Sequence, residues 1–206
     1  MKTCYIFGAA SGLPESFEPQ SQDLIIAADA GYLALEKLNV TPHITVGDFD
    51  SLKNPPTDTE IIKHPVRKND TDTLLAVKIG LDKGYKRFCL YGCAGGRLDH
   101  TLANLQTLSF IASNKACGYL KGEDFTATAL RDSSLEFSAE KEGNISVFSA
   151  TDECEISIDG LLYTLDHSRI TSNFPLGVSN EFIGKKSKIT VHSGTAIILW
   201  GNREII

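Results

Sequence analysis

Leu24-Ile25-Ile26-Ala27-Ala28 offers no polar residue to either face, so a strand made from it must be buried on both sides. Such a strand belongs inside a sheet that helices cover. Cys4–Ala10 is a second apolar run, and Ile44–Val46 and Arg87–Tyr91 read as further strands. Glu60–His64 reads as a further short strand stopped by Pro65. Between these runs the spacing turns helical. Leu33, Ala34, Leu35 and Leu38 predict a short helix closing near Asn39. Leu74, Leu75, Val77, Ile79 and Leu81 predict another, opened by Thr71 or Asp70 as N-cap and ended at Gly84. Leu98–Ala112 predicts a long third helix. Alternation of strands and helices to about residue 115 is the pattern of an α/β domain with a mainly parallel sheet.

After Cys117 the texture changes to short β-prone runs: 119–120, 125–130, 135–137, 145–148, 155–158, 188–192 and 196–200. Glu142-Gly143-Asn144, Asp159-Gly160 and Ser193-Gly194 read as turns between them, and Lys185-Lys186-Ser187-Lys188 as a solvated turn. The expectation is an all-β sandwich as second domain. The boundary falls softly within 118–132, giving domains of 1–125 and 126–206.

The 206 residues are enough for a substantial core, and 42% hydrophobic with 22% charged residues is ordinary for a globular chain. A net charge of −6 without any run of Lys and Arg disfavours nucleic acid and membrane surfaces as partners. The five cysteines are odd in number and lack CxxC spacing, against both a disulfide framework and a zinc site. The apolar start is too short for a signal peptide, and no run approaches the ~20 apolar residues of a membrane span. The expected location is cytoplasmic.

Chemistry enters at the strand ends. Asp29, Asp48 with Asp50, Asp70 with Asp72, and Asp99 each follow a strand or open the next helix. In parallel sheets ligands bind beyond the carboxyl ends of the strands, so four junctions would bring these carboxylates to one edge. Each alone is an ordinary turn or cap residue; together they form a constellation. Asp oxygens without His or Cys suit a hard cation, Mg²⁺ or Mn²⁺. Gly92-Cys93-Ala94-Gly95-Gly96 follows a strand and can offer backbone N–H groups to a phosphate, with Arg97 adding charge. The pattern is neither GxxxxGK[ST] nor GxGxxG, so neither a P-loop nor a dinucleotide fold is indicated. Carboxylates, a cation and a phosphate cradle point to phosphoryl or pyrophosphoryl transfer.

The ordered set Asp29-Ala30-Gly31, Gly47-Asp48-Phe49-Asp50-Ser51, Thr71-Asp72, Gly95-Gly96-Arg97-Leu98-Asp99-His100 and Ser179-Asn180-Glu181-Phe182 resembles thiamine pyrophosphokinase, over essentially the whole chain. The resemblance implies an α/β catalytic domain, a β-sandwich that helps bind thiamine, and a homodimer with active sites between subunits. It also implies Mg²⁺ and the reaction of ATP with thiamine to give AMP and thiamine diphosphate. By the same resemblance Asp48, Asp50 and Asp72 are the metal and phosphate-site carboxylates. Asp29 and Asp99 are further active-site aspartates, and Lys68, Asp70, Gly95, Gly96, Arg97 and His100 complete the ATP side. Ser179 and Asn180 stand on the thiamine side. The sole tryptophan, Trp200, either packs the second domain's core or stacks on the cationic ring of thiamine.

Two positions depart from the family pattern. Asn69 stands where an Asp is usual, which leaves open whether Asp70 takes its place, and Pro42-His43 replaces Pro-Asp. Cys93 reads as a buried packing residue, since no His/Asn arrangement supports a nucleophile. The rival readings are a phosphatase with Asp48 as nucleophile, and a thiamine or nucleotide sensor without turnover, motivated by Asn69.

Overall fold

The computed structural model describes residues 2–47, 59–63 and 70–201. Asp48, Asp50, Lys68 and Asn69 lie outside the described residues. The chain divides into two compact units, Met1–Thr107 with Gly118–Glu123, and Leu108–Cys117 with Asp124–Ile206.

In the first unit β1 (Cys4–Phe7), β2 (Leu24–Ala28), β3 (Ile44–Gly47), β4 (Glu60–Lys63), β5 (Arg87–Tyr91) and β6 (Cys117–Lys121) lie in the order β6-β5-β1-β2-β3-β4. The pairings β5–β1, β1–β2, β2–β3 and β3–β4 are all parallel, with Tyr5 beside Ile25 and Phe7 beside Ala27. Every residue of β2 is buried, as its composition demands. The period of two then assigns the faces. Phe7, Ile25 and Ala27 pack with Leu35 of α1 (Gly31–Lys37), and Tyr5, Phe17 and Tyr91 extend that cluster. On the opposite face, Cys4 and Phe88 meet Gly80 of α2 (Asp72–Asp82). A Cβ on Gly80 would lie 2.6 Å from the Phe88 ring and 2.8 Å from the Cys4 sulfur, so glycine is what lets this helix lie so close. Thr71 is the N-cap of α2, its Oγ1 accepting from the Leu74 N–H at 3.2 Å. The third helix, α3, spans Leu98–Ser113.

The second unit is antiparallel. Its strands are β7 (Phe125–Phe137), β8 (Asn144–Ser149), β9 (Glu153–Asp159), β10 (Leu165–Thr171), β11 (Gly177–Glu181) and β12 (Ser187–Gly201). β12 pairs with β7 along its length. Its first half also pairs with β9, which carries β10; its second half also pairs with β8, which carries β11. One core, including Ile145, Ile156, Ile158, Ile189, Val191 and Ile198, fills this unit.

Four expectations need correction. The strand system is mixed, not mainly parallel, because the ladder β5-β1-β2-β3-β4 is parallel while the pairings among β7 to β12 are antiparallel. The runs read as separate short strands at 125–130 and 135–137, and at 188–192 and 196–200, are the continuous strands β7 and β12. Ser193-Gly194 is accordingly a register shift within β12 rather than a turn between strands. A side chain at Gly194 would crowd the Glu153 carbonyl oxygen at 2.6 Å, so the irregularity depends on glycine. Ser187, read as part of a solvated turn, is buried at the start of β12.

Candidate active site

The carboxyl edge of the first unit's sheet holds a cavity of about 570 Å³. Its floor comes from the turns after β1 and β5. Those neighbouring strands feed opposite sides of the sheet, since β1 leads to β2 and β5 leads by way of α3 to β6. A parallel sheet opens its ligand crevice at such a switch point. The two turns are fastened together. Gly8 N–H donates to the Tyr91 carbonyl at 2.8 Å, Ala10 N–H to the Gly92 carbonyl at 2.8 Å, and Ser11 forms an isolated bridge with Ala94. A Cβ on either Gly8 or Gly92 would overlap the carbonyl oxygen of the other. Both glycines are needed for the approach.

Three of the expected carboxylates line this cavity: Asp29, Asp70 and Asp72. Asp29 follows β2 with φ of 50°, a left-handed conformation that Asp tolerates better than most residues, and its N–H donates to the Val46 carbonyl at 2.7 Å. Gly31 starts α1 hard against β1, where a Cβ would overlap the Phe7 carbonyl. The Asp-Ala-Gly sequence thus combines a carboxylate at the cavity with a contact only glycine permits. Asp72 stands in the first turn of α2. Asp70 is gripped by Lys78, whose Nζ lies 2.7 Å from Oδ2 and 2.8 Å from Oδ1. Asp70 therefore meets a cation of the protein's own.

On the other side stand Gly95 and Gly96, with φ of 92° and 66°, followed by Arg97 and His100. Arg97, His100 and Asn104 recur at helical spacing and give α3 its cavity-facing stripe, with Ala103 beside them. Asp99 is not among the lining residues. It pairs with Arg97 in a fork, Nη2 to Oδ2 at 2.6 Å and Nε to Oδ1 at 3.2 Å. That hydrogen-bonded guanidinium holds the Asp99 carboxyl below its ordinary range, and Asp99 in turn raises Arg97. Cys93 also lines the cavity. Burial pushes its thiol up to about 12, against lowering by hydrogen bonds from Thr73 and Gly8, so it stays protonated at neutral pH and is no nucleophile.

The donor chemistry here is carboxylate oxygen with one guanidinium, which fits a hard divalent cation bridging phosphates better than zinc. Among the described residues no three His, Cys, Asp or Glu side chains are gathered as a complete metal shell.

The candidates in the second unit stand on β11 and β12. Ser179 is exposed, at φ of 60°, with its N–H donating to Ser146 Oγ at 3.1 Å. Asn180 is buried and occupied: its Oδ1 accepts from the N–H groups of Tyr163 and Glu181 at 2.9 Å each, and its Nδ2 donates to the Tyr163 carbonyl at 2.7 Å. Its side chain clamps the turn before β10. Trp200 is half-buried against the unit's core, edge-on to Phe137 at 5.2 Å between ring centroids.

Sequence reasoning passed over Asn104. It is 6% exposed and donates from Nδ2 to the Cys93 carbonyl at 2.7 Å. Its signal was legible as the third member of the 97, 100, 104 stripe.

Known proteins resemble the chain in both halves. Residues 18–118 match the model of the thiamin pyrophosphokinase catalytic domain, and residues 133–198 that of the thiamin pyrophosphokinase vitamin B1 binding domain. The thiamine pyrophosphokinase of Bacillus subtilis is 26% identical over 191 residues, covering 85% of this chain and 86% of that protein. Its crystal structure superposes with a TM-score of 0.82 at 22% identity, covering 98% and 99% of the two chains. The thiamin pyrophosphokinase of Geobacillus thermodenitrificans gives 0.80 at 20% identity, covering 100% and 99%. Two family models met in order, with a carboxylate-lined crevice at the switch point of the first, place the chain in the thiamin pyrophosphokinase family.

Proposed function

We propose that this protein transfers the pyrophosphoryl group of ATP to the hydroxyl of thiamine, forming thiamine diphosphate and AMP. The observation that carries the reading is the crevice between the β1 and β5 turns. It presents Asp29 and Asp72 opposite Arg97, within a chain that matches the catalytic and vitamin B1 binding models in sequence. Neither rival reading is favoured, because both halves of the chain answer to the same transferase family.

In this reading residues 1–125 act as the α/β catalytic domain and 126–206 as a β-sandwich that binds thiamine. Arg97 and the Gly95-Gly96 turn receive the nucleotide phosphates, with His100 beside them on α3. Asp72, together with Asp48 and Asp50, supplies the oxygen ligands of Mg²⁺, and Asp29 adds a carboxylate at the same edge. A cation held by these carboxylates would supply positive charge that offsets the phosphate oxygens. The thiamine oxygen forms a bond to the β-phosphorus, the bond from that phosphorus to the α-phosphate's bridging oxygen breaks, and AMP leaves. The hydroxyl proton passes to one of the site's carboxylates. Ser179, Asn180 and Trp200 serve the thiamine side; since the Asn180 side chain is committed to Tyr163, its contribution is to shape the turn.

The same reading makes the protein a homodimer. Tyr163, Phe174 and Leu176 are 64%, 63% and 51% exposed, and Leu162 and Val178 are exposed beside them. These residues gather around β11, where Leu162 N–H donates to the Glu181 carbonyl and Asn180 holds Tyr163. An apolar surface of this kind supports self-association. No helix among the described residues is long and apolar enough to cross a membrane.

The test is direct. Purified protein with ATP, thiamine and Mg²⁺ should release AMP and thiamine diphosphate in equal amounts. Formation of inorganic phosphate with an aspartyl-phosphate intermediate, or binding of both ligands without AMP, would overturn the reading.

A further inference from the structure

Resting on the assignment of the Gly92–Arg97 turn to nucleotide phosphates, we propose that Asn104 and Ser11 are positioning residues that keep carbonyl oxygens of this turn from opposing the polyanion. A glycine turn exposes acceptors as readily as donors, and a free carbonyl beside a triphosphate repels it. In this turn two successive carbonyls are already spent. Asn104 Nδ2 donates to the Cys93 carbonyl at 2.7 Å, and Ser11 Oγ donates to the Ala94 carbonyl at 3.2 Å. The next group, the Gly95 N–H, is held at 3.1 Å by Thr101 Oγ1 of α3.

The two latches come from different elements, and both are fitted closely. Asn104 is 6% exposed in the cavity wall, and Ser11 belongs to the β1 turn that is bridged to Ala94. A Cβ on Gly95 would approach Ser11 Oγ to 2.5 Å, so the glycine and the serine fit one another. One Nδ2 hydrogen of Asn104 is committed to the Cys93 carbonyl at 2.7 Å and fastens α3 to the turn. Asn104 therefore acts through the turn, orienting the backbone that precedes Arg97.

The test compares Asn104→Leu, which keeps the volume and removes the donor, with Ser11→Ala and Ser11→Thr. Affinity for a non-hydrolysable ATP analogue with Mg²⁺ is measured by calorimetry, and KM for ATP and for thiamine by AMP release. Asn104→Leu should weaken the analogue and raise KM for ATP by roughly tenfold, with KM for thiamine changed by less than about twofold. Ser11→Ala should act in the same direction by roughly threefold, and Ser11→Thr, which retains the hydroxyl, should restore the original values. An unchanged nucleotide affinity in folded Asn104→Leu, or an equal rise in KM for both substrates, overturns the proposal. If Asn104→Leu does not fold, the serine pair decides: equal behaviour of Ser11→Ala and Ser11→Thr overturns it. Failure of the wild-type protein to make AMP would refute the transferase reading alone, since the calorimetric comparison needs no turnover.

Discussion

Asp72 sits in the first turn of α2, immediately after the N-cap, and its two possible roles separate cleanly on substitution. As a mere helix-terminal charge it contributes ~0.3–1 kcal/mol to stability through the helix dipole. As a ligand of a phosphate-bridging cation it contributes to turnover. Asp72→Asn is therefore expected to lower kcat by ~10²-fold or more at saturating Mg²⁺, while the melting temperature falls only slightly. Wild-type turnover in that variant would remove Asp72 from the metal site. Asp99 allows a second residue-level prediction. Arg97 holds its carboxyl below the ordinary range, so Asp99 remains ionised to lower pH than an isolated aspartate. Arg97→Gln should raise the Asp99 midpoint toward the ordinary value, as followed by carboxyl carbon NMR. An unmoved midpoint would show that the fork is not populated in solution. These aspartates were legible in the sequence because each opens a helix that follows a strand. The pairings of Asp70 with Lys78 and of Asp99 with Arg97 were not, because rotamers, not spacing, decide which cation a carboxylate meets.

Elements were legible in proportion to how strongly burial marks them. β2 is apolar throughout and stands where the run stands. β10 and β11, by contrast, are strands made mainly of polar residues, few of them buried, and left no apolar run to read. Gly31 belongs to the legible kind. Gly31→Ala would force a methyl into the Phe7 carbonyl where α1 starts, and should destabilise the first unit by at least about 2 kcal/mol in denaturant unfolding. A stability within experimental error of wild type would mean that α1 stands further from β1. The β9–β10–β12 ladder carries a pH-dependent contact that no local sequence signal announces. The His167 ring stacks on His192 at 4.0 Å between centroids and pairs with Glu155, which raises the His167 pKa. Asp166 raises it further, while desolvation opposes. A histidine whose folded pKa lies above its unfolded value of about 6.5 stabilises the fold fully below that value. The contribution disappears as pH rises through the folded pKa. Both side chains are largely exposed, so the effect is small. Glu155→Gln should flatten the stability profile in that window, and an identical profile in both proteins would argue against the pair.

At the scale of the whole molecule, the sequence divides into an alternating half and a strand-rich half, and the chain does have two units. They interleave, however: the last part of α3 groups with the second unit, and residues 118–123 return to the first. The surface decides what the units do next. Within the second unit, burial has been achieved for the core around Ile156 and Ile198, yet Tyr163, Phe174 and Leu176 remain more than half exposed. A single exposed leucine carries no message; several bulky apolar residues set around one short strand do. If this surface is the seat of the homodimer, the wild-type protein should sediment as a dimer at micromolar concentration. Leu176→Glu combined with Val178→Glu should then shift it to monomer, since a charge at the centre of an apolar interface is desolvated without a partner. The melting temperature of the variant should become independent of protein concentration, whereas that of the wild type rises with it, because association stabilises by mass action. A dimer that survives both substitutions would place the interface on another face. A wild-type monomer at all concentrations would leave the exposed aromatics to a ligand instead, and thiamine added to that monomer should then protect Tyr163 from modification.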